Sequence, residues 1–132
     1  MPEGPEVKKN VDFLKNYENR QITDIQVISG RYSKKPIVGL EKFISDVASK
    51  RVILEESNCK GKFIYLKFNN GITLFSTLGM TGVWSPVDLK HSRVGFTFPF
   101  KNLNGEEVSE TIYFSDIRNF GTLKFVKTEE LS

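Results

Sequence analysis

The architecture of this 132-residue chain can be read outward from one segment, Phe63-Ile64-Tyr65-Leu66-Lys67-Phe68-Asn69-Asn70-Gly71-Ile72-Thr73-Leu74-Phe75-Ser76-Thr77. The residues before Asn69 follow a period of two, which is typical of a strand. An Asn-Gly dipeptide between two such runs is the strongest short-range signal for a β-hairpin. We therefore predict that residues 72–77 return antiparallel along residues 63–68.

Further strands are predicted on both sides of this hairpin, because alternating apolar runs are separated there by turn residues. They are residues 22–28, a run that starts at Val52, a short strand after Gly82, and residues 94–98, 108–114 and 122–126. The expected total is seven or eight strands.

Two short helices are predicted beside these strands. Val7, Val11 and Leu14 have the spacing of one apolar helix face, and residues 38–48 repeat that spacing. We therefore expect a mostly β fold with flanking α structure: an antiparallel two-layer β-sandwich or flattened barrel with an N-terminal helix and a second short helix.

The composition fits one globular domain over residues 1–132, with 39% hydrophobic and 27% charged residues. A single cysteine, Cys59, and a single histidine, His91, cannot form a closed zinc site, so no metal and no cofactor are expected. No apolar run approaches membrane-spanning length, and the start does not resemble a signal peptide. We expect an intracellular protein, in the compartment where it is made. The net charge of +3 permits a nucleic-acid partner.

The chain begins Met1-Pro2-Glu3-Gly4-Pro5-Glu6. Removal of Met1 would leave a secondary amine on Pro2, and amines with a pKa of roughly 8 form Schiff bases with carbonyl carbons. The structural alternative is that Pro2 and Pro5 only start a helix, since proline suits the first helical turn. If Met1 is retained, the Pro2 nitrogen is an amide and is not nucleophilic.

Five segments in order resemble the N-terminal domain of the formamidopyrimidine-DNA glycosylase and endonuclease VIII family. They are the opening residues 2–7, Lys60-Gly61-Lys62-Phe63, Thr77-Leu78-Gly79-Met80-Thr81-Gly82, Lys90-His91 with Arg93, and Tyr113 with Ser115-Asp116-Ile117-Arg118-Asn119-Phe120-Gly121. The resemblance covers essentially the whole chain. It implies a base-excision-repair DNA glycosylase and abasic-site lyase whose partner is double-stranded DNA containing oxidised bases or abasic sites.

The resemblance also implies catalytic roles for four residues. Pro2 would attack C1′ of the deoxyribose, and Glu3 would be the acid that protonates the sugar oxygen or an adjacent site. Glu6 would orient the site, with the alternative that it only favours the helix N-terminus. Lys62 would bind a phosphate at the lesion. The resulting iminium acidifies the sugar protons, so β- and then δ-elimination would cleave the DNA backbone.

Three residues would fill the gap that an extruded nucleotide leaves in the duplex. Met80 matches the family's apolar wedge, Arg118 the contact to the orphaned base, and Phe120 the inserted aromatic residue. The alternative for Met80 and Phe120 is ordinary core packing. A methionine in a loop bounded by glycines and a phenylalanine before Gly121 are poor core positions, which favours insertion.

His91 and Arg93, with Lys90, are expected in a loop that contacts the DNA backbone; the alternative for His91 is a hydrogen-bonded structural role. Three positions depart from the family pattern. Thr77 stands where histidine is frequent, Ile117 where proline is frequent, and Asn119 where a basic residue is frequent. They leave open whether purine or pyrimidine lesions are preferred.

No segment resembles the helix-two-turns-helix region or the zinc finger that follows this domain in the family. We therefore expect the N-terminal catalytic domain of a longer enzyme, weak in duplex binding by itself. Two alternatives remain: a noncatalytic DNA-damage-binding or assembly module with the same fold, and an unrelated β-domain with accidental motifs.

Overall fold

A computed structural model of the chain describes residues 4–131. The helices are α1 (Gly4–Leu14) and α2 (Leu40–Ser49). The strands are β1 (Asp24–Val27), β2 (Leu54–Lys60), β3 (Phe63–Phe68), β4 (Ile72–Thr77), β5 (Gly82–Ser85), β6 (Ser92–Thr97), β7 (Phe100–Lys101), β8 (Glu107–Val108), β9 (Thr111–Asp116) and β10 (Thr122–Lys127). Short 3-10 turns cover Lys15–Tyr17, Arg31–Ser33 and Thr128–Leu131.

Eight of these strands form two antiparallel four-stranded sheets, which confirms the predicted two-layer sandwich. The first sheet has the order β1-β6-β9-β5 and the second has the order β10-β4-β3-β2, while β7 and β8 pair as a separate ribbon. The expected total of seven or eight strands was too low within the described residues. The two extra strands have two residues each, so they carry no recognisable alternation, and the run expected at residues 108–114 is split between β8 and β9.

The predicted hairpin is present as β3 and β4, with Tyr65 opposite Phe75. Its turn is held by helix α2, because the side-chain amide of Asn70 donates a hydrogen bond of 3.0 Å to the Asp46 carboxylate. Gly71 has a φ of +79°, a conformation that glycine adopts without steric cost. A local sequence signal and a tertiary contact thus specify the same turn.

The core lies between the sheets and is rich in aromatic residues. The Trp84 ring of β5 packs at 5.1 Å from Phe96 and 5.4 Å from Phe114, measured between ring centroids. Its indole N–H donates to the Ser76 hydroxyl of β4 at 3.2 Å, so a buried hydrogen bond joins the two sheets.

The two helices close opposite open sides of the sandwich. Helix α1 contacts β2 and β5, which are edge strands of different sheets, and α2 contacts the other two edge strands, β1 and β10. Val7, Val11 and Leu14 of α1 are buried, as their spacing predicts. Helix α1 is therefore fixed to both sheets. Within the part of the chain that the structure describes, no helix is long and apolar enough to cross a membrane.

Candidate DNA-binding and active site

A cleft of about 310 Å³ opens where the first turn of α1 meets two loops and a hairpin turn. Its lining includes Val7, Lys62, Phe63, Gly79, Phe120 and Thr122. The cleft therefore brings together residues from four of the five segments on which the family resemblance rests.

Lys62 reaches this cleft from the turn between β2 and β3. Gly61, with a φ of +58°, allows the tight turn that exposes it. The Lys62 ammonium lies 5.8 Å from the centroid of the Phe63 ring, a cation–π distance. Among residues 4–131 no carboxylate forms an ion pair with it. The ammonium is thus positioned at the cleft with its charge available for an anion.

Met80 and Phe120 are exposed, which excludes the core-packing alternative for both. Met80 is 54% exposed in the loop between β4 and β5, and Phe120 is 62% exposed in the loop between β9 and β10. Arg118 is exposed in the same loop as Phe120. Phe120 lines the cleft, and Met80 follows Gly79 of its lining, so the two exposed apolar side chains belong to loops at the cleft.

The two loops touch through their backbones because glycines occupy the contact. Gly79 has a φ of +59°, and a Cβ atom there would lie 2.7 Å from the backbone nitrogen of Gly121 and 2.8 Å from the carbonyl carbon of Phe120. Asn119 also has a positive φ, 60°, which asparagine tolerates better than most residues. This sharp turn separates the side chains of Arg118 and Phe120.

Asp116 belongs to one of the five matched segments, but the sequence does not identify it as a site residue. It is buried, and its carboxylate accepts hydrogen bonds of 2.5 Å from the Thr81 hydroxyl and 2.6 Å from the backbone N–H of Gly121. The Thr81 oxygen in turn accepts the backbone N–H of Arg118 at 2.9 Å. No local pattern singles it out, since it lies two residues beyond the strand predicted at residues 108–114.

The expected loop position of Arg93 was wrong: Arg93 lies in strand β6. Its guanidinium donates three internal hydrogen bonds, to the backbone oxygens of Asp116 and Ile117 and to the Ser29 hydroxyl, at 2.9, 3.3 and 3.0 Å. Arg93 thus links strand β6 to the start of the loop between β9 and β10. A contact to DNA stays a prediction, since a guanidinium has five N–H donors and two remain.

His91 lies just before β6, where its backbone oxygen accepts the N–H of Asp116 at 3.0 Å. Its ring makes no hydrogen bond to any residue between 4 and 131, and the ring is partly exposed. The structural alternative of a hydrogen-bonded imidazole therefore has no support in the described residues.

Glu6 is exposed in the first turn of α1, one residue before Val7 of the cleft. Its backbone oxygen accepts a hydrogen bond of 2.9 Å from the buried side chain of Asn10. Pro2 and Glu3, the expected nucleophile and acid, lie outside the described residues. No group of three or more metal-ligating side chains occurs among residues 4–131.

Comparison with known proteins shows the family of this chain. The family model described as the formamidopyrimidine-DNA glycosylase N-terminal domain matches residues 1–123. The formamidopyrimidine-DNA glycosylase of Desulforamulus reducens is 30% identical over 99% of the chain and 46% of its own length. Endonuclease 8 of Escherichia coli is 30% identical over 67% of the chain and 30% of its own length. The chain thus spans less than half the length of these relatives.

Solved structures show the same fold. The formamidopyrimidine-DNA glycosylase of Lactococcus lactis, in complex with DNA containing an abasic site, superposes with a TM-score of 0.75. The match has 20% sequence identity and covers 98% of this chain and 46% of that one. At this identity the superposition establishes the fold alone.

Proposed function

The chain belongs to the family of formamidopyrimidine-DNA glycosylase N-terminal domains, and from this premise we propose that it is the catalytic domain of a DNA glycosylase and abasic-site lyase of base excision repair. The observation that carries the proposal is the shared cleft of Val7, Lys62 and Phe120. The N-terminal helix, a cation with no ion pair among residues 4–131 and an exposed aromatic ring meet there. In the proposed reaction the helix would present the nucleophile, the cation would bind a phosphate and the aromatic ring would support the unstacked duplex.

In the proposed reaction the amine of Pro2 attacks C1′ of the damaged nucleotide. A C–N bond forms at C1′ as the bond to the oxidised base breaks, and the base leaves with the proton that the amine loses. Glu3 supplies a proton at the sugar oxygen or an adjacent site, and the C1′–O4′ bond then breaks, which opens the sugar ring and leaves an iminium between C1′ and the Pro2 nitrogen. The positive charge of the iminium then favours loss of the neighbouring sugar protons. The phosphates leave in successive β- and δ-eliminations, and water releases the amine of Pro2.

The described residues would bind and position the DNA. Lys62 would neutralise a phosphate at the lesion, and Glu6 would orient the N-terminal groups. Met80, Arg118 and Phe120 would occupy the gap in the duplex, because unstacked steps are commonly held by inserted side chains. His91 and Arg93 would contact the backbone, which positions a duplex without reading its sequence.

We further propose that residues 1–132 act within a longer protein. The relatives matched here are more than twice as long as the part that they share with this chain. A helix-two-turns-helix region and a zinc finger would form the other wall of the DNA cleft. The partner would be double-stranded DNA containing oxidised bases or abasic sites, and the protein would act inside the cell where that DNA lies.

The test is borohydride trapping on a duplex with a single abasic site, after mass spectrometry has established the state of Met1. We expect a stable adduct that peptide mapping assigns to the Pro2 nitrogen. The matched control keeps Met1, which makes that nitrogen an amide, and should give no adduct.

Two outcomes would contradict the proposal in different ways. An adduct at a lysine instead of Pro2 would refute the N-terminal nucleophile. Binding to the abasic duplex without any adduct, in a folded sample that lacks Met1 and is joined to its C-terminal half, would favour the noncatalytic DNA-binding module.

A further inference from the structure

We infer that Thr81 and Asp116 are positioning residues that make two loops act as one unit. The Met80 loop comprises residues 78–81 between β4 and β5, and the Arg118 loop comprises residues 117–121 between β9 and β10. The inference deepens the proposed function and rests on it where DNA is concerned: Met80, Arg118 and Phe120 would enter the duplex together.

The side-chain oxygen of Thr81 makes the link. Its hydroxyl donates to the Asp116 carboxylate at 2.5 Å, and the same oxygen accepts the backbone N–H of Arg118 at 2.9 Å. One atom of the Met80 loop thus bonds both the strand end that precedes the Arg118 loop and the first turn of that loop. These partners are 35 and 37 positions away in sequence.

Asp116 is a fixed anchor for this link because all its polar groups are held. Its second carboxylate oxygen accepts the N–H of Gly121 at 2.6 Å, its own N–H donates to the His91 carbonyl at 3.0 Å, and its carbonyl accepts Nε of Arg93 at 2.9 Å. The residue is 1% exposed. A buried carboxylate with satisfied hydrogen bonds resists displacement, since losing a partner leaves it uncompensated.

Close backbone contacts also restrict movement of the Met80 loop relative to the Arg118 loop. A Cβ at Gly79 would meet the nitrogen of Gly121, and a Cβ at Gly121 would lie 2.7 Å from the carbonyl oxygen of Thr77 and 2.9 Å from Oδ2 of Asp116. The loops therefore have no space to slide past each other. Side chains ordered before binding lose less freedom when they insert, which favours insertion as a unit.

A double-mutant cycle measures this coupling directly. Met80→Ala, Phe120→Ala and the double variant are compared for affinity to a duplex with a single abasic site, by fluorescence anisotropy. In the otherwise native chain we expect the double variant to lose at least fivefold less affinity than the product of the single losses. In a Thr81→Val background the affinity loss of the double variant should equal the product of the two single losses to within twofold. In a Thr81→Ser background, which keeps the hydroxyl, the coupling should be the same as in the native chain.

The matched control is Thr97→Val, which removes a threonine hydroxyl that pairs with Thr111 at 3.0 Å between β6 and β9. Thr97 ends β6, the strand that starts at Ser92 beside the Arg118 loop, so the change falls at the other end of the sheet. The control should leave the coupling unchanged. A coupling that persists in the Thr81→Val background would overturn the inference.

Hydrogen exchange of the protein alone separates this inference from the proposed function. Thr81→Val should speed amide exchange at Gly121, which bonds the other oxygen of the Asp116 carboxylate, by at least threefold, and Thr81→Ser should not. Unchanged exchange at Gly121 would refute the coupling whether or not DNA binds. A native chain that fails to bind DNA even when joined to its C-terminal half would refute the proposed function, while the exchange result would still decide the coupling.

Discussion

Asn10 of helix α1 accepts, through its side-chain oxygen, a hydrogen bond of 2.7 Å from the backbone N–H of Trp84 in strand β5. β5 is an edge strand that pairs only with β9, so an N–H on its other side has no strand to bond. The Asn10 amide nitrogen donates to the carbonyl of Glu6 at 2.9 Å. One buried side chain thus joins the first turn of the helix to the sandwich and holds Glu6 and Val7 in place beside the cleft.

We predict that Asn10→Ala lowers the free energy of unfolding by about 1–3 kcal/mol, because it leaves the buried N–H of Trp84 without a partner. Urea denaturation measures the loss as a lower midpoint at unchanged slope. Asn16→Ala is the control, since Asn16 also donates to a backbone carbonyl but is exposed; it should change stability by less than about 0.5 kcal/mol. Equal effects of the two changes would refute the anchoring role.

Lys62→Gln should weaken binding to an abasic duplex and reduce the slope of log affinity against log salt by about one, the effect of one lost phosphate contact. The comparison is Lys60→Gln, two residues away in the same hairpin and also exposed, but not part of the cleft lining. Titrations at several salt concentrations measure both slopes. A slope change as large for Lys60→Gln as for Lys62→Gln would show that the cleft position of Lys62 has no special role.

Substitutions at Asn119 should follow its backbone conformation. With a φ of 60°, Asn119→Ala is expected to cost about 1–2 kcal/mol, the strain of a left-handed alanine, whereas Asn119→Gly should be nearly neutral. Thermal unfolding of the two variants measures the difference. If alanine proves as stable as glycine, the turn between Arg118 and Phe120 does not require this conformation.

Asp46 should make stability depend on pH in the acid range. A hydrogen bond from Lys42 lowers the pKa of the Asp46 carboxyl below its usual value; burial opposes this, and a hydrogen bond from Asn70 adds to it. The carboxylate therefore stabilises the fold above about pH 4, the pKa of an unperturbed aspartate, and this contribution is lost as pH falls through the lower folded pKa.

Asp46→Asn should accordingly reduce the free energy of unfolding at pH 7, and its difference from the native chain should shrink below about pH 4. Urea denaturation at a series of pH values measures both curves. A difference that stays constant from pH 7 to pH 3 would contradict the assigned charge interaction.

The sequence predicts those parts of the fold whose signals are local. Asn70-Gly71 specifies the β3–β4 hairpin, and the spacing of Val7, Val11 and Leu14 specifies the buried face of α1. Motif order identified the loops of Met80 and Phe120, whose exposure is confirmed. The hairpin and helix predictions need only residues close together in the chain.

The rest of the site depends on contacts between distant residues. Aspartate is rarely buried unless it is paired. The partner that allows Asp116 to be buried, Thr81, lies 35 positions earlier in the chain, so the residues next to Asp116 give no sign of it. The resemblance places Arg93 in a loop with Lys90 and His91, but Arg93 lies in β6 and its guanidinium bonds Ser29, Asp116 and Ile117. Such tertiary pairing has no periodicity that a single sequence could reveal.

The hydrogen bond between Asn10 and the Trp84 N–H at the edge of β5 also affects the solubility of the domain. Open strand edges recruit strands from other molecules and lead to aggregation. Asn10 and helix α1 occupy the edge of β5, and the carbonyl of Val38, just before α2, accepts the N–H of Phe125 on the edge of β10. The contacts that hold the first turn of α1 beside the cleft thereby also protect the edge of β5 against intermolecular β-pairing.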